Sequence, residues 1–178
     1  MSIRAWFICE LYRPFVAESL PFGYPLGEDR YPGTLRCMPS PDAPLQGSCA
    51  CGTVQFQVTT AFESAGFCHC TRCQRRAGTP WSYNAILPDG HGLEILAGAS
   101  DVTLWRPETG LPKAFCSTCG GHVWSGEPGS DTRVGIRIGA LHDDPGLEPS
   151  WRQWISSAQP WVPIPQDGLP RYPEARQM

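Results

Sequence analysis

Gly47-Ser48-Cys49-Ala50-Cys51-Gly52-Thr53-Val54-Gln55-Phe56-Gln57-Val58-Thr59 changes character partway along. From Thr53 onward Val54, Phe56 and Val58 alternate with Thr53, Gln55, Gln57 and Thr59, which places the apolar set on one face of a half-buried strand over 52–59. Ahead of that strand, Cys49 and Cys51 stand two residues apart. In extended chain such a pair points to one side and offers two sulfurs to one ion. The stretch therefore predicts a sheet protein with a metal half-site at the start of a strand.

Outward from it, similar short runs occur at 81–87, 93–96, 102–105, 122–124, 133–138 and 152–156. Pro88-Asp89-Gly90, Ala97-Gly98 and Glu127-Pro128-Gly129 punctuate them as turns. No sustained helical pattern competes, and 71–77 is the best helical candidate. Strands at this spacing predict a mainly β domain.

Composition narrows the function classes. Charged residues are 17% of the 178 against 41% apolar, which excludes a disordered acidic tail and a basic nucleic-acid arm. The net charge of −3 argues against tight non-specific binding to DNA. No apolar run approaches the roughly 20 residues of a bilayer span, so no membrane partner is expected. Residues 1–45, rich in proline, read as a poorly ordered extension; a start at Met38 is the alternative. The domain proper is expected over 46–173, with 174–178 a tail. The opening apolar stretch ends at Glu10, too soon for a secretory signal. A reducing cytoplasm is the expected compartment, where clustered cysteines bind metal or do chemistry rather than form bridges.

Seven of the nine cysteines fall in three clusters: Cys49 with Cys51; Cys68, Cys70 and Cys73; and Cys116 with Cys119. In Cys116-Ser117-Thr118-Cys119-Gly120 a tight turn brings the sulfurs together, and Gly120 tolerates the left-handed backbone that lets amides point at sulfur. The middle cluster can fill three corners of a tetrahedron from one loop. Structural zinc sites are closed by four protein ligands, whereas catalytic ones keep an open position. Cys49, Cys51, Cys116 and Cys119 would then close one zinc site, and Cys68, Cys70 and Cys73 would hold a second, open zinc. A single zinc with spare thiols stays open, as does a closed second site using His69, His122 or an acidic residue. Cys9 and Cys37 read as bystanders.

Gly47 through Gly52, then Cys68-His69-Cys70-Thr71-Arg72-Cys73-Gln74-Arg75-Arg76-Ala77-Gly78, then Phe115-Cys116-Ser117-Thr118-Cys119-Gly120 closely resemble the glutathione-dependent formaldehyde-activating enzyme family, which also includes centromere protein V. Gly139-Ala140-Leu141 and Asp167-Gly168-Leu169-Pro170-Arg171-Tyr172 look like that family's later segments. The resemblance implies a mainly β fold, a zinc-stabilised β-tent of short antiparallel sheets. It implies two zinc ions, with the structural role on Cys49, Cys51, Cys116 and Cys119 and the catalytic role on Cys68, Cys70 and Cys73. Thr71 stands where serine is common in the family.

A zinc bearing three thiolates is a weak Lewis acid but suits a fourth soft sulfur. A free thiol is only about 3% thiolate at pH 7, so coordination would concentrate the reactive form. The implied chemistry is carbon–sulfur lyase-type: glutathione or another small thiol adds to formaldehyde or a related electrophile. Arg72, Arg75 or Arg76 could pair with glutathione carboxylates, Arg72 being the residue singled out. Trp81, Trp124, Trp151, Trp154 and Trp161 could wall a pocket, although tryptophan at strand ends usually belongs to the core. The rival expectation is a non-catalytic binding module whose zincs only shape loops for a protein or nucleic-acid partner.

Overall fold

The computed structural model describes residues 38–177. Within them lie eleven strands: β1 (Leu45–Ser48), β2 (Gln55–Val58), β3 (Ser64–Cys68), β4 (Ser82–Leu87), β5 (Leu93–Ala97), β6 (Val102–Trp105), β7 (Lys113–Cys116), β8 (His122–Ser125), β9 (Val134–Arg137), β10 (Pro149–Gln153) and β11 (Arg171–Tyr172). One α-helix, α1 (Thr71–Ala77), follows β3 at the position the sequence predicts. The protein is mainly β. Strands β1, β2 and β5 form a small sheet, and the rest form an eight-stranded sheet in the order β11-β10-β3-β4-β9-β8-β7-β6. Pairing is antiparallel except at β10, which runs parallel to β3 and to β11. The expected extension over 1–45 lies outside the described residues as far as residue 37, as do Cys9 and Cys37.

Register decides what each face of the large sheet carries. Ala65, Ala85, Ile136 and Trp124 make one cross-strand row through β3, β4, β9 and β8, and all four are fully buried. They pack with Val54 and with Phe56 and Val58 of β2 in the core cluster, where the Phe56 and Trp124 rings meet edge to face at 5.4 Å. The residues between them point the other way. There, Gly66, Asn84 and Arg137 form one row, and Ile86, Gly135, Ser125 and Lys113 the next. The core is on one side of the sheet; polar and small residues floor a cavity on the other.

Two strands differ from expectation at their ends. The strand anticipated over 52–59 begins only at Gln55, because the Val54 amide donates to Cys49 Sγ at 3.3 Å. The run anticipated over 152–156 starts earlier and stops at Gln153, where Trp154 adopts φ 61° and leads into a 3-10 turn, Ile155–Ser157. Glu174 and Arg176, in the anticipated tail, are tied back: Trp154 N donates to Glu174 O at 3.0 Å and Arg176 N to Gln153 Oε1 at 3.0 Å.

Gly66 shows how tightly the cavity face is built. A Cβ there would lie 2.3 Å from the Trp151 ring and 2.5 Å from its carbonyl oxygen. Gly66→Ala is therefore expected to destabilise the fold by about 1–3 kcal/mol, the usual cost of overpacking, read as a lowered urea midpoint at unchanged m-value.

Candidate metal centres and the adjoining cavity

The two half-sites anticipated around Cys49 and Cys116 converge. The sulfurs of Cys49, Cys51, Cys116 and Cys119 all lie within 4.8 Å of one another. Cys49 Sγ is 3.5 Å from Cys51 Sγ, which is 3.9 Å from Cys116 Sγ. Tetrahedral zinc with Zn–S of about 2.3 Å sets sulfur–sulfur edges of roughly 3.8 Å. The donor set fits that ion. Each half-site closes through a left-handed glycine, Gly52 at φ 78° and Gly120 at φ 70°, and Gly120 N donates to Cys116 O at 2.8 Å. An L side chain would strain either turn.

The second set is Cys68, Cys70 and Cys73, again within 4.8 Å of one another. Cys68 ends β3, Cys70 caps α1 with its sulfur accepting from Cys73 N at 3.4 Å, and Cys73 is in the helix's first turn. One short loop thus supplies all three. No histidine or carboxylate among the described residues joins the trio. His69 turns away from it: its Nε2 lies 3.4 Å from Arg152 Nη1, and its amide donates to Gln153 O at 2.9 Å. Four soft donors in one set and three in the other fit a closed and an open metal site.

Thiol acidities diverge within each set. Thr53, 3.2 Å from Cys51 Sγ, brings that exposed thiol down to about 6, while burial pushes Cys49 up. In the trio, hydrogen bonds from the Cys68 and Cys70 thiols, then Ser82 and the charge of Arg137, hold Cys73 far below its usual range. Cys68 is pushed up by Cys70, Cys73 and burial. Crowding three sulfurs so closely disfavours ionising all of them at once, a penalty that a bound cation would relieve.

The trio borders a cavity of about 620 Å³. Arg72, Lys113, Arg133, Arg137 and Arg176 line it, and no aspartate or glutamate is part of its wall. Arg72, the residue singled out for substrate, is at the rim: its Nη1 donates to Thr109 O at 2.8 Å and its guanidinium lies 5.7 Å from the Trp105 ring centre. Arg75 is exposed, and Arg76 reaches inward toward Ala114 O. Burial and the neighbouring Arg137 push Arg76 down to about 10. Of the tryptophans, Trp151 and Trp154 wall this cavity, Trp81 borders a second one beside Cys49, Trp124 is core, and Trp161 is exposed. Sequence reasoning missed Lys113 and Arg137. The available signal was that Lys113 is the chain's only lysine and Arg137 breaks an otherwise apolar strand.

A family model described as glutathione-dependent formaldehyde-activating enzyme matches residues 44–157. A Halomonas elongata protein, provisionally named a glutathione-dependent formaldehyde-activating enzyme, is 30% identical over 90 residues, covering 47% of this chain and 57% of that relative. The chain thus spans less than two thirds of that relative's length. A crystal structure of a Rhodobacter sphaeroides protein aligns with TM-score 0.45 at 26% identity, covering 56% of this chain and 89% of the other.

Two outcomes follow from this geometry. Cys116→Ser, which removes a fully buried sulfur of the four-sulfur set, should lower both zinc content and melting temperature. Cys73→Ser should lower zinc content with the fold retained. Metal analysis beside circular dichroism separates the two. His122, half-buried and facing Arg76 and Arg137, is pushed from its ordinary 6.5 down to about 4, by burial first. Its neutral form is the one the fold accommodates, so its contribution is intact above pH 6.5 and stability falls as pH drops from there toward 4. An NMR titration of the His122 ring should find its midpoint near 4; a midpoint near 6.5 would contradict this.

Proposed function

The chain belongs to the glutathione-dependent formaldehyde-activating enzyme family, and from that premise we propose a zinc-dependent enzyme that adds a small thiol, glutathione foremost, to formaldehyde or a related electrophile. Cys68, Cys70 and Cys73 would hold the reactive zinc, and Cys49, Cys51, Cys116 and Cys119 a structural one. Zinc bound to the trio would keep an incoming sulfur in its thiolate form at a fixed place.

The chain's own residues supply the rest. Basic side chains around the cavity would attract an anionic thiol, and Arg72 among them would pair with a glutathione carboxylate. Trp151, buried, and Trp154 give the same cavity an apolar stretch of wall. In the reaction, sulfur bonds to the carbonyl carbon, the carbonyl π pair moves to oxygen, and the proton lost by the thiol ends on that oxygen. Nothing is oxidised or reduced. S-hydroxymethylglutathione is the product, and the reverse direction is a carbon–sulfur lyase reaction. No described helix is long and apolar enough to cross a membrane. A reducing compartment, the cytoplasm, suits seven unbridged thiols.

One observation carries this reading: the three-sulfur set opens on the cationic cavity, whereas only Cys49 of the four-sulfur set borders either cavity. Cobalt-substituted protein should change its absorption spectrum on adding glutathione, and zinc-loaded protein should form the glutathione–formaldehyde adduct faster than the uncatalysed background. An unchanged spectrum and a background rate together would overturn the proposal in favour of a zinc-shaped binding module.

A further inference from the structure

Arg137 is buried, 8% exposed, at the end of β9. Its Nη1 donates to Asn84 Oδ1 at 2.7 Å, across the β4–β9 ladder. Nε and Nη2, the two donors on the side-on edge of the guanidinium, are buried without a partner among the described residues. A permanently charged group with two unmade hydrogen bonds is an expensive thing to bury. A structure that keeps one holds a place for an acceptor.

The surroundings make the missing acceptor an anion. Neither cavity that Arg137 borders has an aspartate or glutamate in its wall. Lys113, on the same face two strands away, pairs with no carboxylate among the described residues. Of the other cations of the cavity, Arg133 pairs with Glu63 at 2.9 Å and Arg72 with Thr109, while Arg176 donates through Nη2 to Ser64 at 3.1 Å and leaves Nε buried without a partner, one such donor against the two of Arg137. Cys73 lends Arg137 a favourable field, but its hydrogen-bond partners are Cys68, Cys70 and Ser82, so the side-on edge stays free. Two parallel N–H donors on a planar fork match one acceptor best, a carboxylate.

We propose that Arg137, backed by Lys113, is a carboxylate receptor in the floor of the cavity beside the three-cysteine set, so that one reactant of this site is a low-molecular-weight acid. This rests on the reading above that the cavity is where thiol and electrophile meet. The carboxylate can belong to either: a mercapto acid, or an aldehyde acid in place of formaldehyde.

Calorimetry on the zinc-loaded full chain tests the receptor with glycolate, which has the carboxylate and no thiol. Binding should weaken at least tenfold in Arg137→Lys, which keeps the charge and loses the fork. Gly135→Ala gives an independent check. A Cβ there meets only Ile86 Cδ1, at 3.7 Å, so the fold should hold while the methyl narrows the floor and weakens glycolate. The source is read separately. Mercaptoacetate binding at least tenfold tighter than 2-mercaptoethanol assigns the carboxylate to the thiol; a KM for glyoxylate at least tenfold below that for formaldehyde assigns it to the aldehyde. Glycolate that fails to bind wild-type protein, or binds it and both variants equally, overturns the receptor. Glycolate binding that depends on Arg137, with no thiol response and no rate above background, keeps the receptor and overturns the thiol-addition reading instead.

Discussion

Strand alternation is the constraint on which everything else here depends. Because successive side chains leave a sheet on opposite faces, β3 sends Ala65 into the core and Gly66 and Cys68 toward the cavity. On β9, Ile136 and Arg137 divide the same way, and on β7 Lys113 faces the cavity while Ala114 and Cys116 face the core. A slip of one residue in β7 or β9 would bury a cation in the apolar row and expose a core side chain. The same parity keeps the two sulfur sets apart, with Cys116 on the core side and Cys68 on the other.

That separation creates an unusual electrostatic setting in a chain of net charge −3. Arg76, Lys113 and Arg137 are drawn together under partial or full burial, and each disfavours a further positive charge: Lys113 is pushed down, by burial first, and His122 with it. The compensating field comes from the sulfur trio, where Cys73 is stabilised as thiolate partly by Arg137. Cations and sulfurs thus support one another. The charge the cations still lack explains why the cavity suits an anion rather than a neutral or basic molecule.

The elements legible in the sequence were those with a local signature. Helix α1 was visible because Cys70 caps it and Gly78 ends it, and β6 because Val102-Thr103-Leu104-Trp105 is β-branched and aromatic. The two sulfur sets were legible because cysteine spacing is itself a chemical pattern. Strands β3 and β7 were not: Ser64-Ala65-Gly66-Phe67-Cys68 and Lys113-Ala114-Phe115-Cys116 are short and low in β-branched residues, and they are strands because their neighbours make them so. Arg137 was hidden for a related reason. Its significance lies in which donors go unpaired, and hydrogen bonds across a ladder are set by register, which a single chain does not spell out.

Position alone does not explain how a loop as short as 68–73 keeps three sulfurs in place; the C-terminal segment does. Gln74, on the buried face of α1, donates through Nε2 to His69 O and to Ser157 O, the latter at 2.8 Å, and accepts from Gln159 Nε2 at 2.6 Å. His69 N is bound to Gln153 O, and Arg152, buried beneath Phe67 and Trp81, is anchored by Asp167 at 2.6 Å. The parallel pairing of β10 with β3 brings this segment alongside the loop. Gln159 and Asp167 lie beyond the stretch matched by the family model, which ends at 157. The residues that brace the sulfur trio therefore extend past the stretch the family model matches, so the placement of the three sulfurs is a property of the whole length from β3 to β11.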